Sequence, residues 1–277
     1  MNTVAVVVPP RTFRNDLRAV KIVWQREMIR FFSDKPRLLV TLVQPVLYLF
    51  VLGAGLGTIA TPSPGLSLQV FMFPGVMSMS VLFTCFFTAG SLVWDREFGF
   101  MREMLVAPVR RSAILLGKCL GGAAAGGFQG VLVMALGWFV GVPFSLSLVV
   151  TLSLVLLLLS FAITALGVLV AVRIRQMQSF MALVQMLVLP MSFLSGALYP
   201  LDNLPPWLAL VTRLDPLTYA VDPMRRMVLG EVTHGAFSRG ITWSGQLVPI
   251  GVELLVVFGF GLAAFLISVV QFNRHDA

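Results

Sequence analysis

The chain has 277 residues, of which 58% are hydrophobic and only 12% charged, with 20 Lys and Arg against 12 Asp and Glu and a formal net charge of +8. Soluble domains carry charge on about a quarter of their residues, so this composition excludes a soluble globular fold. The positive excess does not mark a nucleic-acid binder, because the basic residues flank apolar runs and form no continuous patch; anionic membrane lipid is the expected counter-charge.

In chain order, the start MNTVAVVVPPR has a short apolar run with no basic region before it and no small-residue cleavage site, so no cleavable signal peptide is expected. Phe13, Leu17, Val20, Trp24, Met28 and Phe31 then recur every three or four residues. On a helical wheel they fall within an arc of about 80°, with Arg14, Arg18, Lys21, Arg26 and Arg30 off it. The pattern predicts an amphipathic helix lying along the membrane surface, or packed on a partner's cytosolic domain. Pro36 marks the turn into the membrane, which divides the chain into a tail with its interfacial helix (1–37) and a membrane domain (38–277).

No Asp, Glu, Lys or Arg occurs from 38 to 94 or from 119 to 172. A hydrocarbon core of roughly 30 Å needs about 20 residues of helix, so each block holds two spans joined by a short turn. Six spans are predicted near 38–59, 71–93, 113–140, 147–171, 179–198 and 247–270. Sixteen of the 20 basic residues then fall on one face, and the other four (Arg213, Arg225, Arg226 and Arg239) on the opposite face beside Asp202, Asp215, Asp222 and Glu231. By the positive-inside rule both termini are expected to be cytoplasmic, in a bacterial inner membrane.

Within the spans, Gly53 and Gly57, and then Gly117, Gly121, Gly122, Gly126, Gly127 and Gly130, give small-xxx-small faces, read either as static helix packing or as a seam that slides. Gln44 before Pro45 suits a backbone group freed by the proline. Glu253, about two turns into the last span near the outer face, takes either a hydrogen-bonded structural role or one in handling substrate or protons. Cys85 and Cys119 lie in apolar stretches without metal-ligand neighbours and read as buried hydrophobes. His234 and His275 fall outside the spans, on opposite sides.

The island WDREFGFMREMLVAPVRRSAILLGKCLGG (94–122) mixes Asp95, Arg96, Glu97, Arg102 and Glu103 with Phe98, Phe100, Met101 and Met104. It reads as a short helix suited to another protein's groove, or as a loop whose charges hold it in the cytoplasm. Gly99 allows a bend and Pro108 interrupts the helix. No nucleotide site is expected: in the best approach to a phosphate loop, 112–119, Ser112 stands where the first glycine belongs and Cys119 where the hydroxyl belongs. The outer stretch 199–246 is broken by Pro200, Pro205, Pro206, Pro216 and Pro223 into short helices near 207–213 and 217–229, with Asp215 placed to cap the second.

The island, together with LSGALYPLDNLPPWLALVTRLDPLTYAVDPMRRMVLG (194–230), resembles the type 2 ATP-binding-cassette permeases, a family that includes daunorubicin-resistance-type drug exporters and nodulation-factor exporters. The resemblance covers nearly the whole chain. It implies an all-α polytopic membrane protein, six spans with the amphipathic helix and an outer re-entrant hairpin. It further implies a subunit that is no enzyme by itself and pairs with a second permease copy or close homologue and two copies of a separate ATPase, which would hold ATP and Mg; no cofactor is expected in this chain. Glu97, Phe98, Gly99, Arg102, Glu103 and Pro108 would form the coupling helix. Pro200, Leu204, Pro205, Trp207, Asp215, Pro216, Tyr219, Asp222 and Arg225 would form the outer gate, with Arg213, Asp215, Asp222 and Arg225 available to pair and hold it. Tyr48, Phe86, Met186 and Phe193 are candidates to line a path for an amphipathic drug, lipid or glycolipid, or else to face lipid. The alternatives are a non-transporting anchor or sensor of an ATPase complex and an ion-coupled secondary transporter; the latter needs intramembrane ionisable groups, of which the spans offer Glu253.

Overall fold

The computed structural model describes residues 12–57, 66–106, 109–201, 204–233, 240–243 and 246–275, and within these the side chains of Arg102, Leu105, Val106 and His275 are not described. Among the described residues six helices are long and apolar enough to cross a membrane, at Lys35–Gly57, Leu68–Glu97, Arg111–Val140, Leu146–Ala171, Met177–Leu194 and Ile250–Arg274. The all-α, six-span reading therefore holds, and the second span runs on as helix into the charged island.

Helix α1 (Phe13–Ser33) carries Asp16 in its first turn and Arg30 in its last, matching the helix dipole. Asp34 ends it and starts α2 (Lys35–Val46), accepting from the Arg37 amide at 3.3 Å, with Pro36 in the first turn where no amide is needed. Pro45 lies near the end of α2, and the chain continues as a π-helical stretch, Leu47–Leu52, before α3 (Gly53–Gly57) completes the first span. Ser67 caps α4 (Leu68–Ala89), and α5 (Ser91–Glu97) extends it past Gly90. Inside α4 the hydroxyls of Ser78 and Ser80 donate to carbonyls one turn back, which satisfies them without water.

After α6 (Phe100–Val106), α7 (Arg111–Val140) ends at Gly141, whose φ of 87° makes the left-handed turn toward α8 (Leu146–Ala171). The fifth span is α9 (Met177–Leu194) and the sixth α12 (Ile250–His275). Between them stand α10 (Pro206–Leu214) and α11 (Thr218–Val232), then a two-residue-per-strand hairpin, β1 (Thr242–Trp243) with β2 (Gln246–Leu247), that the sequence reading did not anticipate.

The second span is the central column: 89% of its most apolar stretch is buried, against 17% in the first span and 22% in the fifth. It packs on α7, α8 and α11, while α1 lies along α7 and α12 along α8. The first span leaves Leu39, Val40, Val43, Leu47 and Val51 exposed and the fifth leaves Met186, Leu189 and Phe193, so these two present apolar faces outward.

Candidate functional site

The tetrad Trp94–Glu97 stands where the second span leaves the bundle, and each residue is tied to a different neighbour. Asp95 is fully enclosed, with its Oδ2 2.7 Å from Lys118 Nζ on α7 and its Oδ1 2.6 Å from Arg26 Nη2 on α1. Lys118 Nζ also donates to Glu27 Oε1 at 2.8 Å and Ser91 Oγ at 2.8 Å, and Ser91 in turn donates to the same Glu27 oxygen at 3.0 Å. Two buried carboxylates thus meet an ammonium and a guanidinium, the matching that buried charge requires. Arg30 Nη1 approaches Asp95 only to 3.8 Å.

Arg96 Nη1 donates to the carbonyls of Val172 at 2.6 Å and Ala171 at 3.3 Å, closing the end of α8, where a cation also suits the dipole. Glu97 Oε2 accepts from the Met177 amide at 3.1 Å, at the start of α9. Trp94 stacks on Phe98 with centroids 5.0 Å apart. One short helix end is therefore bonded to α1, α7, α8 and α9 together.

The glycines of α7 make this possible. A Cβ on Gly117 would stand 2.7 Å from the Val23 Cβ, and one on Gly121 2.6 Å from the Glu27 Cβ. These two positions of the small-residue face seat α1, while Gly122 and Gly126 face Thr164 and Ser160 of α8. At its other end α1 holds the start of α7, where Asp16 Oδ1 accepts from the Arg110 amide at 2.9 Å. The apolar arc of α1 accordingly splits: Phe13, Leu17 and Trp24 remain exposed, and the flank with Val23, Glu27 and Phe31 packs inward.

Of the island residues, Gly99 adopts φ 81° and makes the bend into α6, Phe98 and Phe100 are 61% and 49% exposed, and Glu103 is exposed. Arg26 lies 5.8 Å from the centroid of Phe100. The side chain of Arg102, and Pro108, lie outside what is described. Glu97, expected on the coupling face, spends one oxygen on capping α9 because the second and fifth spans meet there.

At the opposite end the expected set of charges is present with different partners. Asp222 accepts from Arg226 Nε at 3.0 Å and Nη2 at 2.5 Å and from the Ile241 amide at 3.0 Å; Arg226 also pairs with Glu253 and donates to the Val248 carbonyl at 2.7 Å. Arg225 donates to the carbonyls of Gly196 at 2.5 Å and Ala197 at 3.2 Å and stands 4.2 Å over the Phe71 ring. Arg213 donates to the Thr242 carbonyl at 2.9 Å. Among the described residues Arg213, Asp215, Asp222 and Arg225 do not pair with one another: Arg213 and Arg225 reach backbone carbonyls and Asp222 joins Arg226 and Glu253, because α11 turns Arg225 inward to the second span and Arg226 toward α12. Glu253 sits in the first turn of α12 and not two turns in.

Asp215 Oδ1 accepts from the Leu217 amide at 3.0 Å, two residues on, ahead of α11. Burial pushes its carboxyl up to about 7, against the opposing pull of that amide. Tyr219 donates to the Arg213 carbonyl at 2.9 Å, Pro205 and Pro206 open α10, Trp207 and Pro200 are exposed, and Leu204 and Pro216 are half-buried. Asp202, His234 and Arg239 lie outside the described residues.

The candidate path residues separate. Met186 and Phe193 are exposed on the fifth span and Tyr48 is half-buried on the first, but Phe86 is fully enclosed in the core near Gly167 and reaches no surface. Sequence reasoning missed Glu27 and Lys118. The available signal was Glu27 standing one turn from both Val23 and Phe31, beside the apolar arc, with Lys118 the one charged residue between Arg111 and Arg173.

Residues 18–229 match the family model described as ABC-2 type transporter. The chain is 33% identical over 256 residues to the transport permease ycf38 of Cyanophora paradoxa, covering 86% of this chain and 84% of that one. It is 32% identical over 217 residues to the inner membrane transport permease YadH of Escherichia coli K12 (76% and 83% covered) and 31% identical over 215 residues to nodulation protein J of Rhizobium leguminosarum bv. trifolii (75% and 80% covered). With six apolar helices and a match across most of its length, the chain is a multi-pass membrane transport subunit and belongs to the ABC-2 type transporter family.

Proposed function

We propose that the chain is the permease of an ATP-driven exporter that moves an amphipathic or lipid-like cargo out of the cytoplasm across the bacterial inner membrane, in efflux of the kind that underlies multidrug resistance. Two copies, or one copy with a close homologue, face each other through the apolar sides of their first and fifth spans, and two copies of a separate ATPase bind ATP and Mg and supply the energy. Both termini are cytoplasmic, and α10 with α11 re-enters the outer leaflet as a gate. The observation that carries this reading is the bonding of Asp95, Arg96 and Glu97 to four other helices, with Phe98, Phe100 and Glu103 exposed immediately beyond. A push on that exposed face is delivered to α1, α7, α8 and α9 at once, which suits rigid-body motion of spans.

The test is reconstitution of the permease with an ATPase encoded in a neighbouring reading frame. ATP hydrolysis that rises with the permease, and accumulation of an amphipathic dye inside inverted vesicles only with ATP, are the expected results. Undiminished transport without any ATPase would sink the proposal.

A further inference from the structure

Beside the ionic cluster, a cleft of about 510 Å³ opens between α1, the first two spans and the fifth. Its walls include Phe31, Phe87, Trp94, Met177 and Met181. Two guanidinium groups also line it. Arg37 lies 5.1 Å from the centroid of Phe87, and its enclosed Nη2 has no hydrogen-bond partner among the described residues. Among the described residues Arg30 makes one ion-pair approach, 3.8 Å to Asp95, whose carboxylate already holds shorter bonds to Lys118 and Arg26.

Glu27 and Asp34 also line the cleft and attract Arg37, but with the adjoining cluster included the four cations Arg26, Arg30, Arg37 and Lys118 face three acids, Glu27, Asp34 and Asp95. Glu27 Oε2 has no partner among the described residues and suits a hydroxyl donor. A buried guanidinium N–H left unmade is costly, and an anion that satisfies it gains a charge-assisted bond. Aromatic and methionine walls next to such a group fit a molecule with a charged head and an apolar body.

We propose that this cleft binds the phosphate head of a lipid-like amphiphile, with Arg37 and Arg30 as its ligands, and that the cargo is loaded there. The site rests on the export reading for its purpose, but its chemistry is tested on the permease alone. The full-length protein, purified in a neutral detergent, is titrated with dioctanoyl phosphatidylglycerol, with dioctanoylglycerol and with inorganic phosphate, and binding is read by calorimetry.

The phosphatidylglycerol should bind about tenfold more tightly than the uncharged lipid, the worth of one charge-assisted bond. Arg37→Gln should abolish that preference and Arg37→Lys keep part of it. Met181→Trp, which fills the cleft without changing charge, should weaken both lipids. Equal binding of the two lipids overturns the proposal, as does full binding in both Arg37→Gln and Met181→Trp. Inorganic phosphate that competes at the lipid's own concentration overturns the lipid assignment and leaves a free-anion site. No ATPase is present, so failure here leaves ATP-driven transport standing, and failure of transport with headgroup binding intact sinks only the export reading.

Discussion

Lys118 Nζ lies 2.7 Å from Asp95 Oδ2, inside a bundle where both side chains are essentially unexposed. The bond joins the third span to the end of the second, two residues before that helix ends at Glu97. It also draws in Glu27 of α1, so three elements share one charge-balanced site.

Lys118→Met should therefore destabilise the protein strongly, by about 3–5 kcal/mol, the cost of stranding a buried carboxylate when its partner is removed. Adding Glu27→Gln should recover part of that loss, since the neutral amide no longer needs a cation. Thermal unfolding of the single and double variants in detergent checks this, and a strictly additive result counts against shared bonding.

Gly121→Leu should detach α1 from the third span, because the first added carbon already meets Glu27. The expected signs are faster hydrogen exchange and protease cleavage within 13–33 while the spans stay protected. Unchanged protection of α1 would show that the helix is held elsewhere.

Phe98→Ala and Glu103→Ala should leave thermal stability within about 0.5 kcal/mol of the parent, because both side chains are exposed. If they form the docking face, the affinity for the ATPase should fall by about fivefold or more for the phenylalanine. Co-purification yield and permease-stimulated ATP hydrolysis are the readouts.

Asp215 gives a pH dependence with a definite sign. Its folded carboxyl titrates at about 7, above the ordinary value of 3.8, so the folded state holds its proton more tightly. Stability should be greatest below the unfolded value and fall as pH rises through the window up to about 7, then level off. Asp215→Asn, which keeps an acceptor for the Leu217 amide, should flatten that slope and be the more stable form at pH 8, by on the order of 4 kcal/mol. Unfolding temperatures between pH 5 and 8.5 decide it.

Arg226→Met should be worse than Glu253→Gln. The first leaves two carboxylates facing each other without their cation, at about 3–5 kcal/mol, whereas the second removes one charge and keeps an acceptor. Protease sensitivity of the outer segment and unfolding temperature should rank the two variants in that order.

Span number and order were legible because the membrane imposes a one-dimensional rule: a helix crossing hydrocarbon must be about 20 residues long and nearly free of charge, whatever it packs against. The runs 38–94 and 119–172 satisfy that rule on their own, and the island at Asp95 is conspicuous for breaking it. The Gly99 bend and the breaks at Pro205, Pro206 and Pro216 were legible for a similar reason, since backbone chemistry acts locally, whereas Pro223 lies inside α11 and divides nothing.

Partners were not legible, because a side chain's partner depends on how helices distant in sequence are rotated against one another. Asp95 and Lys118 are 23 residues apart and Glu27 and Lys118 are 91, and only the approach of α1 over Gly117 and Gly121 brings the three together. The same rotation turned Arg225 toward backbone carbonyls, gave Asp222 to Arg226, and enclosed Phe86 while leaving Met186 and Phe193 outside. The sequence alone thus determined that this chain crosses a membrane and where it re-emerges. Tertiary packing decided which of its few charges are buried together, because pairing in a low-dielectric interior is a property of distance between helices and not of position along the chain.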